Sequence, residues 1–337
     1  MWLEPFVFEL DGKIPKSCFA FDPTGGLMKH ILVTGGAGFI GSNVVKHALK
    51  QGLRISIIDS LEPTLKEMDE YIRSGIDYIQ CDIRDLDRLI TIKGKFDSLI
   101  HLAAQVSVPK SFTHQKETEE INERGTENVL ALAEKLGIPR FILASSSAVY
   151  GDYDQMPLEE SRIGAIQSPY AKTKLDNEVL IQKEFSKGKK FLALRFFNVY
   201  GQGQGGDSGY AAVIPIFVNS LREGKSITIF GDGKQTRDFV HVSDVSRLLI
   251  SLSVNQWPQP RQHVFNVGSG QSQTILHVAT LVQKFIDNGK PLEIRFEMER
   301  EGDIRHSVAS MDSTKEQLGW EPSIAFEEGL KRLIQGS

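Results

Sequence analysis

Cysteine is scarce in this sequence, and long apolar runs are missing. The 337 residues include two cysteines, Cys18 and Cys81, which form neither a CxxC motif nor a metal-ligand spacing. This scarcity excludes a disulfide scaffold and a cysteine zinc site. It favours a reducing compartment, so we expect a cytoplasmic protein. No apolar run reaches the roughly 20 residues that a helix needs to cross a bilayer, so we expect no membrane anchor.

A charge bias of either sign is also missing. Lys and Arg number 39, Asp and Glu number 43, and the formal net charge is -4. Such a balance gives no overall attraction to nucleic acid or to an anionic membrane, so we expect neither as a partner. The eight histidines show no HExxH spacing, and we expect no metal site.

The remaining composition is that of a globular protein. It is 40% hydrophobic and 24% charged, and the length suffices for one large α/β unit or two closely joined domains. Residues 1–27 lack the basic start, apolar centre and cleavage site of a secretory signal. Since the first convincing strand follows Met28, we expect residues 1–27 to be a peripheral extension or the product of an upstream start codon.

A glycine turn follows that first strand. In "HILVTGGAGFIGSNVV", Gly35, Gly38 and Gly41 have GxxGxxG spacing and open an amphipathic helix. Glycines let the backbone turn tightly and approach a pyrophosphate at the helix N-terminus. The next strand, "RISIID", ends at Asp59, where an acidic residue binds ribose hydroxyls or serves only as a turn residue. Its charge would repel a 2′-phosphate, so the pattern predicts NAD rather than NADP.

Strands and helices go on alternating as far as the serine run "SSSAVYG". Such alternation predicts an α/β fold of the Rossmann type, with a doubly wound parallel sheet. Ligands of these sheets lie at the carboxyl ends of the strands. Further along, "YAAVIPIFVNSLREG" predicts a helix that is interrupted near Pro215.

The stretch "SPYAKTK" places Tyr170 and Lys174 four residues apart in a predicted helix. Four residues is just over one helical turn, so both side chains project from one face. Taken alone, the two residues form either an ordinary surface pair or an acid–base pair.

Several motifs occur in a fixed order: TGGAGFIGS, CDIRD, HLAA, NxxGT, SSSAVYG, YxxxK and RFFNVYG. Together they resemble the extended short-chain dehydrogenases/reductases. The sequence is most similar to the NAD-dependent nucleotide-sugar epimerases of the UDP-glucose and UDP-N-acetylglucosamine 4-epimerase type. The resemblance runs from residue 28 to about residue 335.

The resemblance implies that Ser146, Tyr170 and Lys174 are catalytic. A free tyrosine has a pKa near 10. An ammonium roughly 4 Å away, at an effective dielectric of about 20, favours the phenolate by about 4 kcal/mol. With the nicotinamide cation acting in the same direction, we expect a pKa of about 7 for Tyr170, which suits exchange of a sugar hydroxyl proton. Capping of a strand end is the alternative role for Ser146.

The resemblance also implies a tightly bound NAD that is regenerated in each turnover. Its implied contacts are Gly35, Gly38, Phe39 and Ile40 at the pyrophosphate, Asp59 at the adenosine ribose, Asp82 and Ile83 at the adenine, and Leu102, Ala103, Ala104, Asn122, Tyr170, Lys174 and Phe197 on the nicotinamide side.

The implied architecture has a smaller α/β C-terminal lobe that binds the UDP-sugar. On this reading, residues 28–198 form the NAD-binding domain, to which 239–268 return, while 199–238 and 269–337 form the lobe. The implied substrate contacts are Ser147, Asn198, Val213, Thr228, Phe230, Arg237, Arg300, Asp303 and Ser307. Arginines suit diphosphate because the guanidinium fork matches phosphate oxygens.

Two positions bear on the substrate. The family commonly has Arg-Pro-Gly-Asp where this chain has Glu301 after Arg300, so the turn is looser but the phosphate donor is kept. In the family, a bulky residue seven positions beyond that arginine restricts the sugar pocket to glucose and galactose. The small Ser307 therefore predicts that 2-acetamido sugars fit as well.

The same resemblance bears on competing reactions and on assembly. A 4,6-dehydratase uses Asp-Glu where this chain has Ser147-Ala148, and a decarboxylase uses a glutamate at position 148. A glucuronate epimerase stays open, and a redox sensor without turnover is disfavoured by the complete triad. The helices containing 120–136 and 170–183 are where family members form a homodimer through a four-helix bundle.

Overall fold

The computed structural model describes residues 28–61, 73–205, 212–286, 289, 291–299 and 304–336. The predicted extension of residues 1–27 and the predicted substrate contacts Arg300 and Asp303 lie outside these described residues.

Strands and helices alternate along most of the described chain. The strands are β1 (His30–Thr34), β2 (Arg54–Asp59), β3 (Asp77–Gln80), β4 (Ser98–His101), β5 (Arg140–Ser146), β6 (Lys190–Phe196), β7 (Asn198–Tyr200), β8 (Ile227–Phe230), β9 (Thr236–His241), β10 (Val264–Val267), β11 (Ser272–Thr274) and β12 (Ile294–Glu297). The helices are α1 (Phe39–Lys50), α2 (Leu86–Leu89), α3 (Val108–Thr113), α4 (Gln115–Glu119), α5 (Gly125–Lys135), α6 (Pro169–Ser186), α7 (Val213–Arg222), α8 (Val242–Val254), α9 (Ile275–Ile286), α10 (Asp312–Leu318) and α11 (Phe326–Gln335). A π-helical turn, Glu120–Arg124, joins α4 to α5, and a 3₁₀ turn, Ser147–Tyr150, follows β5.

The main sheet has seven parallel strands in the order β10-β6-β5-β4-β1-β2-β3. Its central strands are apolar and buried; every residue of β1, for example, is inaccessible to solvent or nearly so. Strands of this kind need cover on both faces. Helices α1 and α8 pack on one face, and α5 and α6 pack on the other. The predicted doubly wound α/β fold is confirmed.

A second core lies in the C-terminal part of the chain. The three-stranded sheet β11-β9-β7 and the two-stranded sheet β12-β8 pack with helices α7, α9 and α11. Between these elements the chain returns to the main domain, because α8 packs against α1 and β10 pairs with β6. The lobe is thus made of two chain segments that flank this return.

The predicted interruption near Pro215 is wrong, because α7 runs without a break from Val213 to Arg222. Pro215 is the third residue of the helix. A backbone N–H at that position has no partner within the helix, so a proline there costs no helical hydrogen bond.

Backbone hydrogen bonds hold the carboxyl ends of neighbouring main-sheet strands side by side. The N–H of Gly35 donates to the carbonyl of Ile58 (2.8 Å), and the N–H of Leu102 donates to the carbonyl of Thr34 (3.0 Å). The residues that follow β1, β2 and β4 therefore share one edge, where ligands of such sheets bind. None of the helices within the described ranges has both the length and the apolar character that a membrane crossing requires.

Candidate active site

The turn between β1 and α1 accepts only glycine at two points. Gly35 has φ +72°, and a Cβ there would lie 2.6 Å from the backbone nitrogen of Ala103. A Cβ at Gly41 would lie 2.1 Å from the carbonyl oxygen of Gly35. Gly38 precedes the first residue of α1, and no side chain caps this helix. The first N–H groups of α1 are therefore suited to an anion such as a pyrophosphate.

Asp59 is buried at the end of β2, beside this turn. One carboxylate oxygen accepts the N–H of Ala37 and the other accepts the N–H of Leu61, both at 3.0 Å. These bonds fix the carboxylate, and each oxygen keeps a further lone pair for a hydroxyl donor. The turn and Asp59 together fit the pyrophosphate and ribose of NAD.

The predicted adenine contacts lie beyond β3. Arg84 forms an ion pair with Asp82 (2.6 Å), and its side-chain hydrogen bond lowers the pKa of that carboxyl group. Ile83 is buried and occupies the space that Gly125 leaves open, since a Cβ at Gly125 would lie 2.5 Å from the Ile83 Cδ1. The structure thus places Asp82 at the surface and Ile83 in the core beneath it.

The predicted nicotinamide side begins with Leu102, Ala103 and Ala104, all partly buried directly after β4. Asn122 is 1% exposed in the π-helical turn. Its carboxamide accepts the N–H of Gln105 (2.8 Å) and donates to the Gln105 carbonyl (3.0 Å) and to the Thr173 hydroxyl (3.1 Å). Asn122 therefore shapes the loop after β4 by holding its backbone.

The three predicted catalytic residues converge where β5 ends and α6 begins. Ser168 caps α6 by accepting the N–H of Ala171 (3.1 Å), and this fixes the first turn, which carries Tyr170. The Ser146 hydroxyl hydrogen-bonds the Tyr170 phenol and accepts the N–H of Ala148 (3.2 Å). Lys174 donates to the Ala144 carbonyl (2.9 Å), and its Nζ lies 5.8 Å from the centre of the Tyr170 ring.

The protein's own groups do not lower the pKa of Tyr170 to about 7, and that part of the expectation is corrected. Burial raises the pKa of the phenol, while the hydrogen bond from Ser146 opposes the rise. Desolvation disfavours a phenolate, and this effect outweighs the neighbouring side chains. A Tyr170 that is basic near neutral pH therefore needs a further positive charge beside it.

The Lys174 ammonium lies in a buried charge cluster. Burial lowers the pKa of Lys174 to about 8, and the Glu178 carboxylate, one turn further along α6, opposes that shift. Arg195 holds both oxygens of this carboxylate, at 2.9 and 2.8 Å, and the Ser145 hydroxyl donates to it (2.5 Å). Because Glu178 is already paired with Arg195, it neutralises Lys174 only in part.

His101, at the end of β4, has no place in this chemistry. Its Nδ1 hydrogen-bonds Thr34 (2.6 Å) and its Nε2 hydrogen-bonds Thr126 (2.9 Å). Burial, helped by the charge of Lys174, lowers the pKa of the imidazole to about 3. The ring is a neutral structural residue that ties β1 and β4 to α5.

A cavity of about 330 Å³ in the lobe brings together five of the predicted substrate residues. These are Asn198, Val213, Thr228, Phe230 and Arg237. A larger cavity of about 520 Å³ lies at the amino ends of β1 to β3, and none of the predicted site residues lines it. The smaller cavity adjoins the chain segment that leaves the carboxyl end of β6 at Asn198.

The other predicted contacts lie around this cavity or at the catalytic end. Ser147 is partly exposed in the 3₁₀ turn after β5. Ser307 is 5% exposed, and its N–H donates to the Thr236 carbonyl (3.2 Å), so Ser307 lies beside β9. It is not among the residues that line the cavity. Phe197 is buried, and its N–H donates to the Val267 carbonyl (3.0 Å).

The model of the NAD dependent epimerase/dehydratase family matches residues 31–268. A solved UDP-N-acetylglucosamine 4-epimerase from Methanobrevibacter ruminantium, in complex with UDP-N-acetylmuramic acid, is 34% identical, with a TM-score of 0.83 over 91% of this chain and 97% of that chain. A UDP-glucose 4-epimerase from Thermotoga maritima with UDP-glucose is 32% identical, with a TM-score of 0.82 over 91% and 97%.

A curated relative from Bacillus cytotoxicus carries out a different reaction. It is a UDP-N-acetyl-alpha-D-glucosaminuronate decarboxylase, 30% identical over 321 residues, which cover 92% of this chain and 98% of the relative. Overall similarity thus extends to proteins that act on UDP-sugars in different ways.

Sequence analysis missed Asp238, which follows Arg237 in β9 and is fully buried. Its carboxylate accepts the N–H of Ser269 (2.6 Å), of Gly270 (2.9 Å) and of Ala309 (3.0 Å), together with the Ser269 hydroxyl (2.6 Å). Its backbone carbonyl accepts the Asn198 side chain (3.1 Å). Asp238 therefore joins the cavity wall to the segment that follows β10. Only its position next to Arg237 could have drawn attention to it.

Replacing Asp238 with Ala should destabilise the fold by about 3 kcal/mol or more, because several buried donors lose their acceptor. Urea unfolding followed by circular dichroism measures this loss. Asp232→Ala, which removes an exposed carboxylate paired with Arg305, is the matched control and should change little. An Asp238→Ala protein as stable as the wild type would contradict this role.

Proposed function

Because the chain belongs to the NAD dependent epimerase/dehydratase family, we propose that it interconverts UDP-hexoses that differ in configuration at carbon 4. UDP-N-acetylglucosamine and UDP-N-acetylgalactosamine are the preferred pair, and UDP-glucose and UDP-galactose also react. The predicted family and its NAD cofactor are confirmed. The prediction that the protein is an enzyme of the same type as its UDP-sugar epimerase relatives is also confirmed.

One observation supports this proposal above the others. Ser146, Tyr170 and Lys174 converge at the carboxyl edge of the sheet, near the glycine turn that fits NAD. A tyrosine bonded to a serine hydroxyl, with a buried ammonium beneath its ring, is suited to moving the proton of a sugar hydroxyl.

The glycine turn and Asp59 would hold the pyrophosphate and the adenosine ribose of NAD. The segment Leu102–Ala104 and Phe197 would flank its nicotinamide end. When bound, NAD supplies a hydride acceptor and a positive charge next to Tyr170.

In the proposed mechanism, the phenolate of Tyr170 would take the proton of the C4 hydroxyl as carbon 4 is oxidised, with bound NAD as the hydride acceptor. The Ser146 hydroxyl donates to the oxygen as it becomes a ketone, and the Lys174 charge favours the phenolate at the start of the step. The 4-keto sugar would then turn over, and Tyr170 would give the proton back as carbon 4 is reduced from its opposite face. The reaction is redox-neutral overall.

The lobe cavity would hold the nucleotide through this rotation. The Arg237 guanidinium and the Asn198 carboxamide supply donors for the diphosphate, and the apolar wall that includes Val213 and Phe230 packs against the base. Strong nucleotide contacts combined with few contacts to the hexose would allow the sugar to turn without release.

The competing reactions lack their acid–base groups. In the 3₁₀ turn after β5, Ser147 is followed by Ala148, whose N–H donates to Ser146. Neither side chain can act as the carboxyl group that elimination of water or a decarboxylation of this type requires at these positions. This difference separates the chain from the decarboxylase relative, and a glucuronate epimerase is the alternative that only product analysis separates.

We further propose a cytoplasmic homodimer. Val106, Phe112 and Val179 are 68%, 60% and 43% exposed on or beside α3 and α6. These two helices pack against each other next to the π-helical turn. These exposed apolar side chains lie on or next to the helices that contain 120–136 and 170–183, which would form the four-helix bundle with a second copy.

Tyr170→Phe should reduce epimerisation of UDP-N-acetylglucosamine by about a thousandfold while NAD stays bound, because only the proton acceptor is lost. HPLC of the UDP-sugars measures turnover, and absorbance of the purified protein measures bound cofactor. Tyr153→Phe, which removes an exposed hydroxyl, is the control. A 6-deoxy-4-keto sugar, a pentose or no product from wild-type enzyme would contradict the proposed reaction.

Ser307→Tyr should lower kcat/KM for UDP-N-acetylglucosamine by at least about tenfold, because a ring in this buried position takes the space of the 2-acetamido group. UDP-glucose lacks that group and serves as the control substrate, with a far smaller expected change. Equal losses for both substrates, or no loss for either, would refute the assignment of Ser307 to the sugar pocket.

A further inference from the structure

An unpaired acceptor lies in the wall of the lobe cavity. Gln235 is 6% exposed and lines this cavity, and its Oε1 is a buried polar atom without a hydrogen-bond partner in the described part of the chain. Leaving such an acceptor unpaired destabilises the unliganded protein. A buried, unsatisfied oxygen in a cavity wall is suited to a donor on a ligand.

The orientation of this amide is set by its other contacts. The Gln235 Nε2 donates to the Phe230 carbonyl (2.7 Å), and the Gln235 carbonyl accepts the N–H of Ile275 (3.0 Å). The amide cannot flip without placing two oxygens together, so Oε1 remains the unpaired atom. The backbone of Gln235 and the plane of its side-chain amide are thus fixed, and Oε1 is the acceptor that stays available to a ligand.

The position of Gln235 indicates which part of a nucleotide it meets. It is bonded to Phe230 at the end of β8, and Phe230 belongs to the apolar wall that is proposed above to pack against the base. Arg237 lies two positions further along an extended segment and also lines the cavity. With the guanidinium assigned to the diphosphate, Gln235 lies on the side of the base.

Resting on the proposed function, we propose that Gln235 determines base specificity by accepting a hydrogen bond from N3–H of uracil. Uracil has a single N–H donor on its pairing edge, between two carbonyl acceptors. Cytosine has an acceptor nitrogen at that position. This nitrogen would face the Gln235 Oε1, and two acceptors would then lie opposite each other with no hydrogen between them. A site built around a hydrogen bond rejects such an analogue strongly.

Gln204 is the competing residue. It also lines the cavity, its Nε2 donates to the Val199 carbonyl (3.0 Å), and its Oε1 is likewise buried without a partner in the described part of the chain. Its side chain as a whole is less buried than that of Gln235, and it lies beside β7 rather than β8. We therefore assign base recognition to Gln235 and use Gln204 as the matched control.

The test is isothermal titration of UDP and of CDP into NAD-loaded wild type, Gln235→Met and Gln204→Met. Methionine keeps the length of the side chain and removes the acceptor. Wild type should prefer UDP, Gln235→Met should bind UDP about tenfold more weakly with a smaller change for CDP, and Gln204→Met should keep the wild-type ratio. General damage to the cavity would weaken both nucleotides equally, so the ratio reports on the base alone.

Each outcome separates this inference from the function on which it rests. If wild type binds neither UDP nor CDP, the proposed UDP-sugar function fails. If wild type prefers UDP and Gln235→Met keeps the full preference, or if Gln204→Met loses it instead, base recognition by Gln235 is overturned while the proposed function stands.

Discussion

The site depends on a positive charge held beneath a tyrosine where water does not reach. The Lys174 ammonium is buried against the Ala144 carbonyl, and burial alone would drive it towards the neutral amine. Glu178 keeps it closer to its ordinary pKa, but that carboxylate is shared with Arg195. Burial still raises the pKa of Tyr170, so this cation favours a phenolate there only together with the further positive charge that bound NAD would supply. The proposed proton transfer at the sugar would depend on this incomplete compensation.

The fold places the other parts of the candidate site at the same carboxyl edge of the main sheet. Parallel strands end side by side, so the glycine turn after β1, Asp59 after β2 and Ser146 after β5 meet although the chain separates them widely. The lobe is joined to the segment after β10 by Asp238, a buried carboxylate whose donors come from that segment and from Ala309. The proposed chemistry at the sheet edge and the proposed nucleotide binding in the lobe would thereby be held in one arrangement.

Short sequence patterns predicted the features that depend on the conformation of neighbouring residues. The glycine spacing, the apolar strands and the YxxxK spacing each follow from backbone geometry. Five of the substrate contacts that the family resemblance implies line one cavity, and their role stays a prediction. Three features depend on packing between distant segments and could not be read from spacing: the raised pKa of Tyr170, the buried acceptor of Gln235 and the bonds of Asn122 to Gln105. The predicted break at Pro215 is wrong because the effect of a proline on helical hydrogen bonds depends on how far it lies from the first residue of the helix.

The most direct test of the central claim is an ultraviolet pH titration of the NAD-loaded protein. The chain has seven tyrosines, so the spectrum of Tyr170→Phe is subtracted to isolate one phenol. The account predicts that this phenol ionises below about pH 9 in wild type and above about pH 10 in Lys174→Met, where the cation is gone. A wild-type phenol that stays protonated beyond pH 10, or one that Lys174→Met leaves unchanged, would contradict it.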